Sequence, residues 1–221
     1  MILILRQIIL CLVVAIGLSE VYRKFLSNLF VWSDLFTIFI ANGSIAIVLV
    51  AYYKFRNQEF ISLRPSRSRK ELVESILPSV TIIVFLALTS GISFVIDSRV
   101  NGVFQAPYLV SIFLVPLVEE IVFRGSVSKL FSYRSNPYLA MYFSALTFSL
   151  CHTLPTVSNL SEFSLMVPLG PFLLGLICEY LVLKYRSLFP AILFHMSCNF
   201  TAAYFYWFDQ RWLDWLNIFY N

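Results

Sequence analysis

In the stretch LVPLVEEIVFRGSV, residues 114 to 127, two adjacent glutamates and an arginine interrupt an otherwise apolar run. Each such charge near the centre of a bilayer costs about 2.5 to 3.5 kcal/mol on insertion scales, so three together point to pairing or to chemistry. Glu120 and Arg124 are four apart, acid before base, and stack on one helix face as a self-neutralising pair. Glu119 is turned about 100° away from Glu120 and has no local partner of that kind. The chain's two histidines also fall in apolar runs: His152 closes FSLCH, and His195 opens HMSCN with Asn199 four residues later on the same face. Glu119, His195 and Asn199 lie near the middle of their runs; His152 lies nearer an end.

A carboxylate, two imidazoles and an amide gathered in a wet pocket supply what hydrolysis of an amide requires. Glu119 is a base for water, a histidine orients that water, and His195 with Asn199 offers hydrogens to a tetrahedral oxyanion. In this scheme Arg124 keeps Glu120 ionised and aims the helix. The plainer account is a Glu/Arg pair that locks two helices and histidines that merely pack, but it leaves the second carboxylate without a use. Two carboxylates and two histidines could instead hold zinc, the ligand chemistry of a metalloprotease. HExxH is missing, and adjacent glutamates project to different faces. A thiol nucleophile at Cys151 or Cys198 is disfavoured because each adjoins its His or Asn and so points elsewhere. Neither GxSxG nor GxGD occurs. A transporter would place ionisable groups at this depth too, but the chain has no internal symmetry. A non-catalytic membrane partner, such as an immunity protein or a regulator of a sensor kinase, is the remaining alternative. Glu179, also in an apolar run, is expected to snorkel toward the surface near Lys184.

These groups must be positioned by membrane helices. Of 221 residues 59% are hydrophobic and 13% charged, about half the charged share of a soluble domain, so the fold class is an all-α polytopic transmembrane bundle. Seven segments are long enough to span, at about 2–19, 35–53, 75–96, 107–131, 137–154, 163–183 and 188–208. The first lacks a basic leader and a cleavage site and is expected to stay as an anchor. Ten Lys and Arg (Lys54, Arg56, Arg64, Arg67, Arg69, Lys70, Lys129, Arg134, Lys184, Arg186) fall on one side and four (Arg23, Lys24, Arg99, Arg211) on the other. The N-terminus is therefore expected in the cytoplasm and the C-terminus outside. Three of the four Trp lie in the tail YFYWFDQRWLDWLNIFY, which suits an interfacial belt. The net charge of +4 marks topology rather than nucleic acid, because the basic residues sit between apolar runs. The four cysteines (Cys11, Cys151, Cys178, Cys198) have no CxxC spacing and read as small hydrophobes. With no linker or repeat, 1–221 is expected to be one membrane domain.

EEIVFR (119–124), FSLCH (148–152) and HMSCN (195–199) resemble, in order, the EExxxR, FxxxH and HxxxN signatures of the CPBP family, the CAAX-protease and bacteriocin-processing (Abi) intramembrane peptidases. The resemblance covers 107–208, expected to be the catalytic core; residues before 100 match by hydropathy alone. It implies an all-helical glutamic endopeptidase in which Glu119 is the general base, His152 positions water, His195 and Asn199 form the oxyanion site, and Glu120 and Arg124 fill the remaining motif positions. No cofactor is expected, with zinc the open alternative; a peptide or protein substrate and a multi-pass place in a bacterial plasma membrane are expected. The short chain favours maturation of secreted peptides, or self-immunity to a bacteriocin, over prenyl-protein processing.

Overall fold

The computed structural model describes residues 6–18, 44, 47–48, 51–52, 61–65, 68–90, 109–131, 136–153 and 169–208, with 89–90, 153 and 204–208 described by backbone alone. Its elements are helices: α1 (Arg6–Leu18), α2 (Arg69–Ser90), α3 (Val115–Val122), α4 (Ser128–Phe131), α5 (Pro137–Thr153), α6 (Leu169–Tyr185) and α7 (Phe189–Phe208). Two π-helical turns, Val110–Leu114 and Phe123–Val127, bracket α3, so the expected fourth span is one helical run with two wide turns. The expected second span lies mostly, and the Trp-rich tail entirely, outside the described residues. One described helix, over Arg69–Leu88, is long and apolar enough to cross a membrane by length and composition, and Arg6–Leu18 is a shorter apolar helix.

Local sequence explains where these helices start and stop. α2 begins six residues before the expected 75, because Arg69, Lys70 and Glu71 add a charged turn that hydropathy does not register. Glu71 in that turn also favours the positive end of the helix dipole. Asn136 caps α5, its Oδ1 accepting the Tyr138 N–H at 3.0 Å, with Pro137 at the first helical position. Arg186 ends α6 at φ 49°, a left-handed conformation usual for glycine after a helix. Ser187 then opens α7 by accepting the Phe189 N–H at 3.1 Å. The same serine donates to the Arg64 carbonyl at 2.7 Å, and Leu188 N–H donates to the Ser62 carbonyl at 2.9 Å. Residues 61–65 of the basic connection are thus fastened to the α6–α7 turn, so two of the Lys/Arg-rich connections meet at one end of the bundle.

Large apolar residues cover much of the outside of the helices, and polar residues share the interior with apolar ones. On α2, Val73, Leu77, Val84, Phe85 and Leu88 are exposed while Ser75 and Ser79 are buried. On α5 the buried positions include Ser144, Thr147 and Ser149; on α6 Gly175 and Glu179 face inward while Leu173, Ile177 and Leu183 face out. Small and polar residues among the buried ones, with large apolar residues left facing outward, is a pattern expected where lipid rather than water surrounds the helices. α5 packs most extensively on α6, α2 on α7, and α7 also on α6 and α3. α1 lies along α5, with Thr147 Oγ1 3.1 Å from Cys11 Sγ and Cys151 Sγ 3.9 Å from the Ala15 carbonyl. The cysteines Cys11, Cys151 and Cys178 are buried, and no disulfide joins the four.

α5 and α6 approach closely at Gly175, where an added Cβ would lie 3.0 Å from both Cα and Cβ of Ala145. Backbone cannot yield there as a flexible side chain would. Gly175→Ala is expected to destabilise the bundle by about 1 to 3 kcal/mol through overpacking, read as a lower thermal midpoint of the purified protein in detergent.

Candidate active site

The chemistry-bearing residues are brought together by α3 and the π turn that follows it. Phe123 N–H is shared between the Glu119 and Glu120 carbonyls where α3 ends, and the π turn Phe123–Val127 that follows carries Arg124. Such wide turns recur at functional sites because they re-aim the side chains that follow. Arg124 is fully buried and its Nε lies 3.2 Å from Glu120 Oε2, the pair expected from the i,i+4 spacing. The alignment is poor for a hydrogen bond, and Nε, Nη1 and Glu120 Oε2 have no hydrogen-bonding partner. The guanidinium is held instead by charge, by Nη2 donating to the Gly175 carbonyl at 3.2 Å, and by the face of Phe148, 4.5 Å from its centroid.

His195, from α7, sits between the two glutamates. Its Nδ1 is 2.9 Å from Glu120 Oε1, and its Nε2 is 3.7 Å from Glu119 Oε2. With Glu120 beside Arg124, the carboxylate is the acceptor, so Nδ1 carries the hydrogen. Nε2 therefore faces Glu119 with a lone pair when the ring is neutral, and can donate only when the ring is doubly protonated. Glu119 has a partner that its own helix does not supply. Its side chain also keeps 10% exposure where that of Glu120 keeps none, which makes Glu119 the reachable acid of the doublet.

Phe148 connects the second motif to this cluster. Its ring is 4.5 Å from that of His152 and meets the His195 ring edge-on at 5.8 Å. His152, near the end of α5, is the exposed histidine, and its Nδ1 donates to the Phe148 carbonyl at 2.8 Å, which leaves Nε2 to accept. Asn199 lies one turn after His195 and gives one amide hydrogen to the Ser111 carbonyl, at 3.0 Å, in the first π turn. The structure thus joins Glu119, Glu120, Arg124 and His195 directly, His152 through the ring of Phe148, and Asn199 through its place on α7.

Glu179 differs from its expected role. Rather than snorkelling near Lys184, it is 2% exposed inside the bundle, accepting hydrogen bonds from the Ser128 hydroxyl and, at 3.0 Å, from that of Ser144. Its Oε2 is 3.8 Å from Arg124 Nε. Two hydroxyls and a cation offset the cost of burial that snorkelling would otherwise avoid. The sequence carried one signal of this, an acid five residues from Lys184 in a run with no basic residue one helical turn away.

Glu120, Cys178 and His195 each place a ligand-type atom within 4.8 Å of the others, a donor set zinc accepts. It differs from the set expected from sequence, since Cys178 stands where Glu119 or His152 was expected. Arg124 on the same Glu120 opposes a divalent cation, and His195 Nδ1 would have to exchange its hydrogen for the metal.

Residues 102–201 match the family model described as type II CAAX prenyl endopeptidase Rce1-like. That stretch, a little under half of the chain, carries the three motifs and the elements that assemble them, and over it the chain is similar to this family of endopeptidases. No curated protein and no solved structure matches the chain.

Removing the guanidinium would strand two fully buried carboxylates. Arg124→Ala is expected to cost about 3 to 5 kcal/mol, seen as loss of folded protein from the membrane fraction, with Arg124→Lys intermediate.

Proposed function

We propose that this protein is an intramembrane endopeptidase of glutamic type, cleaving a membrane-associated or secreted peptide precursor. The observation that carries the reading is the relay Arg124–Glu120–His195–Glu119, in which three groups stand behind Glu119, the less deeply buried acid of the doublet. Water seated against Glu119 Oε2 would donate one hydrogen there, and His195 Nε2, 3.7 Å from that oxygen, stands beside it as a donor when the ring is doubly protonated. Glu119 takes a proton from that water as its oxygen attacks the scissile carbonyl carbon. The carbonyl oxygen becomes an oxyanion, stabilised by the remaining Asn199 amide hydrogen and by His195 when doubly protonated. Glu119 returns its proton to the departing amine, so charge and protons balance over one turnover. His152, with Nε2 left to accept by its bond to Phe148, holds the second hydrogen of the water.

The bundle is read as seven spans with the N-terminus and the Lys/Arg-rich connections in the cytoplasm. The meeting of residues 61–65 with the α6–α7 turn supports placing those two connections on one side. The biological setting we favour is maturation of a secreted peptide, or self-immunity to a bacteriocin, in a bacterial plasma membrane.

Zinc-dependent cleavage is the second reading, supported by the Glu120–Cys178–His195 set. A non-catalytic membrane partner is the third. The test uses purified protein in nanodiscs with internally quenched peptides ending in a CAAX box, with and without a farnesyl group, together with the peptides secreted by cells that have or lack the gene. Glu119→Gln, His152→Ala and His195→Ala are each expected to lower cleavage by about 10²- to 10⁴-fold while the protein stays in the membrane. Full turnover in folded Glu119→Gln would refute the glutamic mechanism. A membrane-permeant chelator is expected to leave cleavage intact; loss that zinc restores would establish the metal reading.

A further inference from the structure

Glu179 is the buried charge for which the hydrolytic steps have no use. A packing position in this bundle would be filled at least as stably by an apolar side chain. Three elements nevertheless converge on this carboxylate: Ser128 from α4, Ser144 from α5, and Arg124 from the π turn. One turn earlier on the same face of α6, the Gly175 carbonyl takes the guanidinium's Nη2. Gly175 brings that carbonyl close because α5 passes over it at Ala145 with no room for a Cβ.

The consequence is felt at Glu120. A lone i,i+4 pair would let the guanidinium settle squarely on Glu120 and engage both its oxygens. Here Arg124 is shared. Its Nε is 3.2 Å from Glu120 Oε2 without hydrogen-bond alignment, and Glu120 Oε1 remains turned to His195 Nδ1 at 2.9 Å.

We infer that the Gly175 carbonyl and the Glu179 carboxylate form a two-point seat on α6 that draws Arg124 partly off Glu120, making Glu179 a positioning residue for the Glu120–His195 hydrogen bond and, through it, for peptide cleavage. The kinetic part rests on the hydrolase reading; the geometric part stands without it. Glu179 touches no reacting atom. It acts by keeping His195 hydrogen-bearing at Nδ1 and aimed at Glu119 through Nε2.

Glu179→Gln preserves shape and one hydroxyl acceptor while removing the charge, and two readouts test it. In liposomes, ¹⁵N-labelled histidine gives signals from two rings, since the chain has two histidines, and His152→Gln assigns them. The wild-type protein is expected to show His195 protonated at Nδ1. In Glu179→Gln the His195 signals are expected to move toward the Nε2-protonated tautomer while those of His152 stay in place. With the quenched farnesylated peptide, kcat is expected to fall about ten- to a hundredfold and KM to change less than about twofold, as for lost alignment rather than lost binding. A purely structural role would lower the thermal midpoint and leave both readouts of the folded protein unchanged. Unchanged His195 signals, or wild-type kcat in a variant of an active enzyme, overturn the proposal. If wild-type protein cleaves neither peptide while Glu179→Gln still shifts His195, the seat stands and the hydrolase reading falls. Should Glu179→Gln fail to accumulate, Ser144→Ala and Ser128→Ala each remove one anchor of Glu179. They are expected to shift the same signals and lower kcat severalfold, and wild-type behaviour in both overturns the proposal.

Discussion

A guanidinium with no exposure to solvent, placed between two buried carboxylates, is the constraint around which this bundle is arranged. Removing such a charge from water costs several kcal/mol, and only close, opposite charge and well-placed acceptors return it. Each nearby feature reads as part of that compensation. Gly175 lets α6 approach α5 so that its carbonyl reaches Nη2, Phe148 lays its ring against the guanidinium, and Ser128 and Ser144 saturate the second carboxylate. The position of Arg124 decides how Glu120 is turned, and Glu120 in turn decides which nitrogen of His195 bears hydrogen.

The surrounding medium makes such a centre possible. Where helices present leucine, valine and phenylalanine outward, apolar burial does little to draw them together, and small residues and hydrogen bonds hold the interior. Ser75, Ser79, Ser144, Thr147 and Ser149 occupy places that a water-soluble bundle would give to leucine. The polar interior that secures the helices also accommodates the charged groups of the site. The two π turns re-aim side chains of one helical run, so that the doublet and Arg124 meet α6 and α7 from a single segment.

Legibility from sequence followed contact range. Glu120 with Arg124 and His195 with Asn199 could be placed on shared faces because helical periodicity fixes neighbours four residues apart. The order of the three motifs pointed to the same centre and to the family that residues 102–201 match. Glu179 departs from its expected place because the groups that hold it, Ser128, Ser144 and Arg124, lie 35 to 55 residues away, whereas local spacing offers only Lys184. The start of α2 was placed late because a hydropathy window registers apolar residues and passes over a charged first turn. A packing role for the cysteines accounts for Cys11 against α5 and Cys151 against α1 but not for the nearness of Cys178 to Glu120 and His195.

By itself the sequence determined that the chain is helical, that its interior carries charge, and which polar residues share a helix face. These follow from composition and from the 3.6-residue repeat, both properties of adjacent stretches of chain. Tertiary structure alone decided that Glu119 faces His195, that Glu120 divides Arg124 with Glu179, and that Phe148 stands between the two imidazoles. Those relations depend on how helices cross, and the crossing is set by small residues such as Gly175 and Ala145, whose importance shows only where another backbone passes close by.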